Sequence, residues 1–137
     1  MSVSCASRSI PLAAGCLLLA GAVSAQAPNV SVPLDGPSVF KAYCADCHGA
    51  DGKGKGPKAV TLKRKPIDLT EIAKNNKGAF PRATIEDVLQ NGKKWKGHGS
   101  KEMPTWGPIF LAADANDKIA YAHIYNLVTY LESIQVR

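Results

Sequence analysis

The chain has 137 residues and a formal net charge of +6, and 45% of its residues are hydrophobic. That length suits one domain with room for a short targeting segment, and it leaves no space for a large multidomain enzyme. The basic excess suits nucleic acid, a membrane surface or an acidic protein as a partner. An export segment at the amino end makes nucleic acid the least expected of the three.

The amino-terminal segment has the features of a secretory signal peptide. Arg8 precedes an apolar run over residues 10–23, and the small residues that end at Ala25 fit the cleavage pattern. We therefore predict a signal peptide over residues 1–25. The run is shorter than the roughly 20 residues that span a bilayer, which argues against an uncleaved anchor. Lipid attachment at Cys16 stays an alternative, although the apolar run continues past that cysteine.

An extended leader and a first helix are predicted to follow the signal peptide. Residues 26–35 are rich in Pro, Val and Ser and are predicted to be extended. Residues 36–43 are predicted to be helical, with Pro37 near the start, where helices accept proline. We assign residues 36–136 to a single domain.

The most informative stretch of the sequence is Cys44-Ala45-Asp46-Cys47-His48. C-x-x-C-H is the pattern of covalent haem attachment. In a helical turn, positions i, i+3 and i+4 face the same way. Both thiols can then reach the vinyl groups of one haem while the imidazole reaches its iron. We therefore predict thioether bonds at Cys44 and Cys47 and iron ligation by His48.

Three other kinds of site share parts of this motif. Thioredoxin-like proteins use C-x-x-C on a βαβ scaffold, but the sequence has no such alternation. A zinc site would need two more ligands, and His98 and His123 are too far apart for a zinc finger. Residues 49–55 resemble a phosphate-binding loop, but Gly56 stands where Ser or Thr is required.

Two short helices are predicted beyond the glycine-rich loop that follows the motif. The first covers residues 68–74, and Asp68 begins a pattern that resembles a capping box. The second covers residues 85–90 and follows Thr84, which we predict to be its N-cap. Gly92 fits its C-terminal stop.

The clearest helix is predicted over residues 116–135. One face of its helical wheel carries Ile119, His123, Leu127, Tyr130, Leu131 and Ile134. The opposite face carries Lys118, Tyr125, Thr129 and Glu132. Residues 93–107 and 111–117 are predicted to be loops. Because no strand of convincing length is present, the predicted fold class is all-α.

Met103 is the candidate for a second iron ligand. It is the only methionine besides Met1. It follows a polar stretch and precedes Pro104, which is a poor place for a core residue. Thioether ligation raises the reduction potential of a haem and suits electron transfer. His98 stays a rival ligand, and His123 is left unassigned because its apolar-face position also suits a core histidine.

These motifs resemble those of the class I c-type cytochromes over nearly all of the predicted mature chain. In that family a glycine and an aromatic residue, here Gly36 and Phe40, lie where the first and last helices cross. The family's axial histidine donates to a proline carbonyl in the following loop, a role that the resemblance gives to Pro57. The methionine before a proline matches Met103. The stretches 66–82 and 111–117 depart from the family pattern.

The resemblance implies an all-α cytochrome c fold, in which three to five helices and long loops surround one covalently bound haem c and its iron. It implies a periplasmic one-electron carrier, not an enzyme, with His48 and Met103 as axial ligands. The alternative is a haem enzyme, or a gas- or peroxide-binding protein, with a labile sixth iron site. We expect a monomer without stable membrane insertion.

Redox partners with acidic docking surfaces are expected, because lysines crowd the loops on either side of both predicted ligands. They are Lys53, Lys55, Lys58, Lys93, Lys94, Lys96 and Lys101.

Overall fold

Six α-helices occur in the part of the chain that the computed structural model describes, residues 31–92 and 102–136. They are α1 (Gly36–Tyr43), α2 (Ala45–His48), α3 (Ile72–Asn75), α4 (Arg82–Asn91), α5 (Trp106–Asp114) and α6 (Asp117–Ser133). Short 3₁₀ helices span Pro57–Thr61 and Leu69–Glu71. Neither described range contains a strand, and the all-α prediction is confirmed. The number of helices exceeds the predicted three to five because α2 and α3 are single turns and α5 was not predicted.

The first and last helices cross at a glycine. A Cβ atom on Gly36 would collide with the carbonyl oxygen of Asn126 and would lie 2.8 Å from the Cβ of Tyr130. Beside the crossing, the rings of Phe40 and Tyr130 pack with their centroids 5.3 Å apart. Gly36 and Phe40 therefore have the packing roles that the resemblance implied, because only a residue without a side chain allows this approach.

The predicted last helix is confirmed as α6. Asn116 is its N-cap, and the side-chain oxygen accepts hydrogen bonds from the amides of Lys118 and Ile119 at 3.0 and 3.2 Å. Its buried residues are Ala120, His123, Ile124, Leu127, Val128 and Leu131. Ile119 was predicted on this face but is 41% exposed. The core-facing side is rotated toward Ala120 and Ile124.

α5 includes the last two residues of the predicted loop 93–107 and the first four of the predicted loop 111–117, so both loop predictions are wrong there. Its apolar residues lie on all sides, so no helical period marks it. It buries Trp106 and Phe110 but leaves Leu111 exposed. Ala115 ends the helix in the left-handed region with φ 49°, and this conformation lets the chain turn directly into α6.

The segment predicted as one helix over residues 68–74 is a 3₁₀ turn followed by α3. The carboxylate of Asp68 accepts a hydrogen bond from the amide of Thr70 at 2.8 Å. Glu71 pairs with the ammonium group of Lys74 at 2.7 Å instead of returning to the cap. Only half of the predicted capping box therefore forms.

α4 begins earlier than predicted. Thr84 lies inside the helix, so its predicted role as N-cap is wrong. The physical reason is Arg82, whose guanidinium contacts Glu86 on α4 at 3.5 Å and Glu132 on α6 at 2.5 Å. These ion pairs favour the additional helical turn. Gly92 ends the helix with φ 67°, as predicted.

The described helices are short relative to a bilayer. Within residues 31–92 and 102–136, none is both long and apolar enough to cross a membrane.

Candidate cofactor pocket

An apolar pocket opens between the helices and the loops that follow α2. Its empty volume is about 1030 Å³ when the open mouth is included, which is large enough for a sizeable cofactor. Its walls include Phe40 of α1, Leu69 of the second 3₁₀ helix, Val88 of α4, Trp106 of α5 and Leu127 of α6. Elements from across the described chain therefore meet around one cavity.

Cys44, Cys47 and His48 lie together on one wall of this pocket. The turn that carries them is fixed by the Cys44 carbonyl, which accepts the amides of Cys47 at 3.2 Å and His48 at 2.9 Å. The two cysteines are not joined by a disulfide. Burial, with a smaller effect from Cys47, raises the pKa of the Cys44 thiol to about 12. An unreacted thiol there stays protonated at neutral pH.

The loop after His48 folds back onto the motif. The amide of Gly56 donates to the carbonyl of Cys47 at 3.2 Å. A Cβ atom on Gly56 would collide with the carbonyl oxygen of Asp46, so this close approach requires glycine. Pro57 begins the first 3₁₀ helix directly afterwards. Its ring is exposed, while its backbone continues from the glycine that contacts the motif.

Met103 lines the same pocket as His48. It is half-buried, packs against the hydrophobic core and precedes the first turn of α5. The neighbouring Glu102 accepts a hydrogen bond from the amide of Lys63 at 3.3 Å, which attaches the methionine loop to the segment after the first 3₁₀ helix. The fold thus brings both predicted iron ligands and both cysteines to one cavity.

Two basic residues at the pocket, Arg64 and Lys65, were not predicted as site residues. Both line the cavity and are exposed. Gly54, with φ 73°, packs so closely against Pro66 that a Cβ atom would collide with the proline carbonyl oxygen. This contact brings the basic segment to the cavity. The positive charge of Arg64 and Lys65 did not indicate this position in the sequence, because lysines and arginines in loops are usually solvated.

His123 is a core histidine and is not among the residues that line the pocket. Its side chain is 1% exposed, and Nε2 lies 2.8 Å from a carboxylate oxygen of Asp114. Its ring packs 5.2 Å from that of Phe110. The rival ligand His98 lies outside the described residues, as do the lysines at 93, 94, 96 and 101.

The comparison with protein families settles the class of protein. The family described as cytochrome c oxidase, cbb3-type, subunit III, matches residues 32–124. The chain belongs to this family of class I c-type cytochromes. The cytochrome therefore has the cytochrome c fold and carries covalently bound haem c with its iron, which supports a role in electron transfer. No curated protein and no solved structure matches the chain.

The residues around the cavity fit this cofactor. Apolar walls suit a porphyrin ring, and the thiols of Cys44 and Cys47 stand at the attachment spacing. Imidazole and thioether are ligand types that haem iron accepts. Arg64 and Lys65 line the same cavity and carry positive charge, which suits the carboxylates of a haem.

Proposed function

We propose that the cytochrome is an exported one-electron carrier in which His48 and Met103 are the axial ligands of the haem iron. In this proposal Cys44 and Cys47 form the thioethers, and the carbonyl of Pro57 accepts the second ring N–H of His48. The observation that carries the proposal is the presence of Met103 on the same cavity as His48.

The bound haem supplies an iron that exchanges one electron at a time. His48 is held by the single turn of α2, and Met103 is held by the loop that leads into α5. Because both ligands would be held by the fold, the coordination of the iron would change little between its two oxidation states. The apolar walls exclude water, and this exclusion, together with a thioether ligand, raises the reduction potential.

The variant Met103→Ala tests the ligand assignment. We expect the ferric protein to lose its weak near-infrared sulfur-to-iron band, the ferrous protein to bind carbon monoxide, and the reduction potential to fall because the thioether favours ferrous iron. The matched control, His98→Ala, should leave the spectrum nearly unchanged.

The opposite pattern contradicts the proposal. If His98→Ala removes the low-spin spectrum and Met103→Ala does not, the iron has two histidine ligands. If the unaltered protein already binds carbon monoxide or peroxide at the iron, the cytochrome is instead an enzyme or a ligand-binding protein with a labile sixth site.

Export is the second part of the proposal. It is supported by the apolar run over residues 10–23 and the small residues before position 26. Cell fractionation and amino-terminal sequencing should find the mature chain in the periplasm, beginning at Gln26. Recovery from the membrane with Cys16 acylated would contradict a freely diffusing carrier.

The proposed docking surface for redox partners is the basic segment over residues 53–65. Its basic residues are exposed, and the segment reaches the pocket at Arg64 and Lys65. Lys58 is partly neutralised by Asp46, whose carboxylate lies 2.8 Å from its ammonium group. The other basic residues of the segment are exposed, and two of them, Arg64 and Lys65, lie at the pocket, so an acidic partner surface would bring its own redox centre close.

Charge reversal at this segment tests the docking surface. Lys63→Glu should slow electron exchange with an acidic partner and weaken its dependence on salt, because exposed charges are screened beyond about 10 Å at 0.1 M salt. Lys118→Glu, at an exposed position on α6 outside the basic segment, is the control. Equal effects of the two variants would indicate a general effect of net charge and no specific surface.

A further inference from the structure

The side chain of Gln135, just beyond α6, makes three hydrogen bonds to backbone groups. Its carbonyl oxygen accepts the amide of Ala73 at 2.8 Å. Its amide nitrogen donates to the carbonyls of Leu69 and Leu131, each at 2.7 Å. These partners fix the orientation of the side-chain amide. The N–H of Ala73 can bond only to the side-chain oxygen, and the two backbone carbonyls can bond only to the side-chain NH₂ group.

The groups that Gln135 joins belong to one wall of the haem pocket. Leu69 and Leu131 line the cavity, as does Ile72, which precedes Ala73. Leu131 comes from α6, whereas the other two come from the 3₁₀ turn and α3. One amide side chain therefore links the two elements that form this wall.

The backbone around Gln135 extends the same connection toward the haem-binding motif. The next amide, of Val136, donates to the carbonyl of Thr70 at 2.9 Å, and the amide of Leu69 donates to the carbonyl of Gly52 at 2.8 Å. Gly52 lies in the loop that follows His48. The pocket wall, the end of α6 and the histidine loop are thus joined by consecutive hydrogen bonds.

Solvent is close on the outer side of this wall. Ala73, Gln135 and Val136 line a second, open depression at the surface. The hydrogen bonds of Gln135 therefore lie between that depression and the haem pocket. If they open, Leu69 and Ile72 can separate from Leu131, and water gains a route to the cavity.

We infer that Gln135 is a positioning residue that keeps this wall closed, and that it thereby sets the reduction potential and the stability of iron ligation. The inference rests on the proposed function, because it assumes a haem in this pocket. Water that enters the pocket favours the more highly charged oxidised state and so lowers the potential.

The holoprotein variants Gln135→Ala and Gln135→Glu test the inference. In Gln135→Ala, hydrogen exchange at the Ala73 amide should accelerate on the order of tenfold, as expected for the loss of one partly buried hydrogen bond. The reduction potential should fall, and the near-infrared band should disappear at a lower pH than in the unaltered protein.

Gln135→Glu keeps the side-chain oxygen that accepts a hydrogen bond and removes the NH₂ group that donates two. Its carboxylate still accepts from Ala73, so that amide stays protected, but the carbonyls of Leu69 and Leu131 lose their donor. The potential should fall, in part because the added negative charge favours ferric iron, and it should return toward the unaltered value when acid protonates the introduced carboxylate. Ser133→Ala is the control, because its hydroxyl donates to the nearby carbonyl of Tyr130 at 2.7 Å and to none of the groups that Gln135 joins. It should change none of these measurements.

Two results would overturn the inference. Unchanged exchange at Ala73 in Gln135→Ala would mean that the hydrogen bond does not form in solution. Faster exchange with an unchanged potential and band would mean that Gln135 stabilises the fold without affecting the haem. If Gln135→Ala does not fold, Gln135→Asn decides the question, because its amide is uncharged but one methylene too short to keep all three hydrogen bonds. Absence of the band in the unaltered protein would count against Met103 ligation, whereas the exchange and potential measurements still test Gln135.

Discussion

Replacement of Gly56 by alanine puts a methyl group against the backbone of the haem-binding motif. The residue has φ −66° and ψ 160°, which any amino acid adopts, so alanine adds no backbone strain. Its Cβ would collide with the carbonyl oxygen of Asp46 and would lie 2.6 Å from that of Ala45. Both oxygens belong to the backbone of α2, so no side chain can rotate away to relieve the overlap.

The magnitude follows from the distances. Ordinary contact begins at 3.4 Å, so the loop or the motif must move by close to an ångström at Ala45 and further at Asp46. Overpacking of this kind costs about 1–3 kcal/mol. Pro57 is the next residue and must move with the loop. Because we propose that its carbonyl orients His48, the reduction potential and the haem spectrum should change as well.

Guanidinium unfolding of the ferric holoprotein and voltammetry measure the two effects of Gly56→Ala separately. Gly78→Ala is the matched control. Its φ of 87° strains an alanine, but nothing lies within 4 Å of the added Cβ, and the residue does not line the haem pocket. It should lose about 1–2 kcal/mol with an unchanged potential. Equal potentials in the two variants would refute the role of Pro57, and an unchanged stability of Gly56→Ala would refute the close approach itself.

Three further predictions concern stability. Asp114→Ala should lower the free energy of unfolding by about 1–3 kcal/mol, because a buried imidazole loses its partner, and adding His123→Phe should recover part of that loss in the same unfolding assay. Arg82→Lys should cost about 1 kcal/mol or less in thermal unfolding, because lysine lacks the two guanidinium nitrogens that contact Glu86 and Glu132 separately in these half-exposed pairs; a cost well above that would mean that the pairs are more buried in solution. Asp46→Asn removes an exposed ion pair and should leave the melting temperature unchanged at high salt, and a clear fall would contradict the weak effect expected of such pairs.

The sequence was sufficient where local pattern and packing agree. α6 has an amphipathic face and an Asn N-cap, and both its start and its end lie within two residues of the prediction. Residue type and spacing predicted the Cys44–His48 turn and Met103 as site residues, and the structure brings them to one cavity. In α6 and at the site, the residue types and their spacing along the chain were enough for the prediction.

The sequence was insufficient where structure depends on distant contacts. α5 is apolar all round, so neither its helical state nor its buried side could be derived from periodicity. The early start of α4 depends on the contact of Arg82 with Glu132, which is 50 residues away in the chain. The approach of Arg64 and Lys65 to the pocket depends on Gly54 packing against Pro66. None of these pairings has a local sequence pattern.

The crossing of α1 and α6 at Gly36 has a consequence for the order of folding. Because these helices contact each other from opposite ends of the domain, the loop that closes on contact includes most of the folded chain. Closing a long loop costs entropy, and nonlocal contacts slow folding. A chain that emerges amino end first presents Cys44 and Cys47 before α6 is available to complete the crossing. Both thiols are therefore accessible for a time in the partly folded chain. A cofactor can be attached during that time, before the last helix packs against the first.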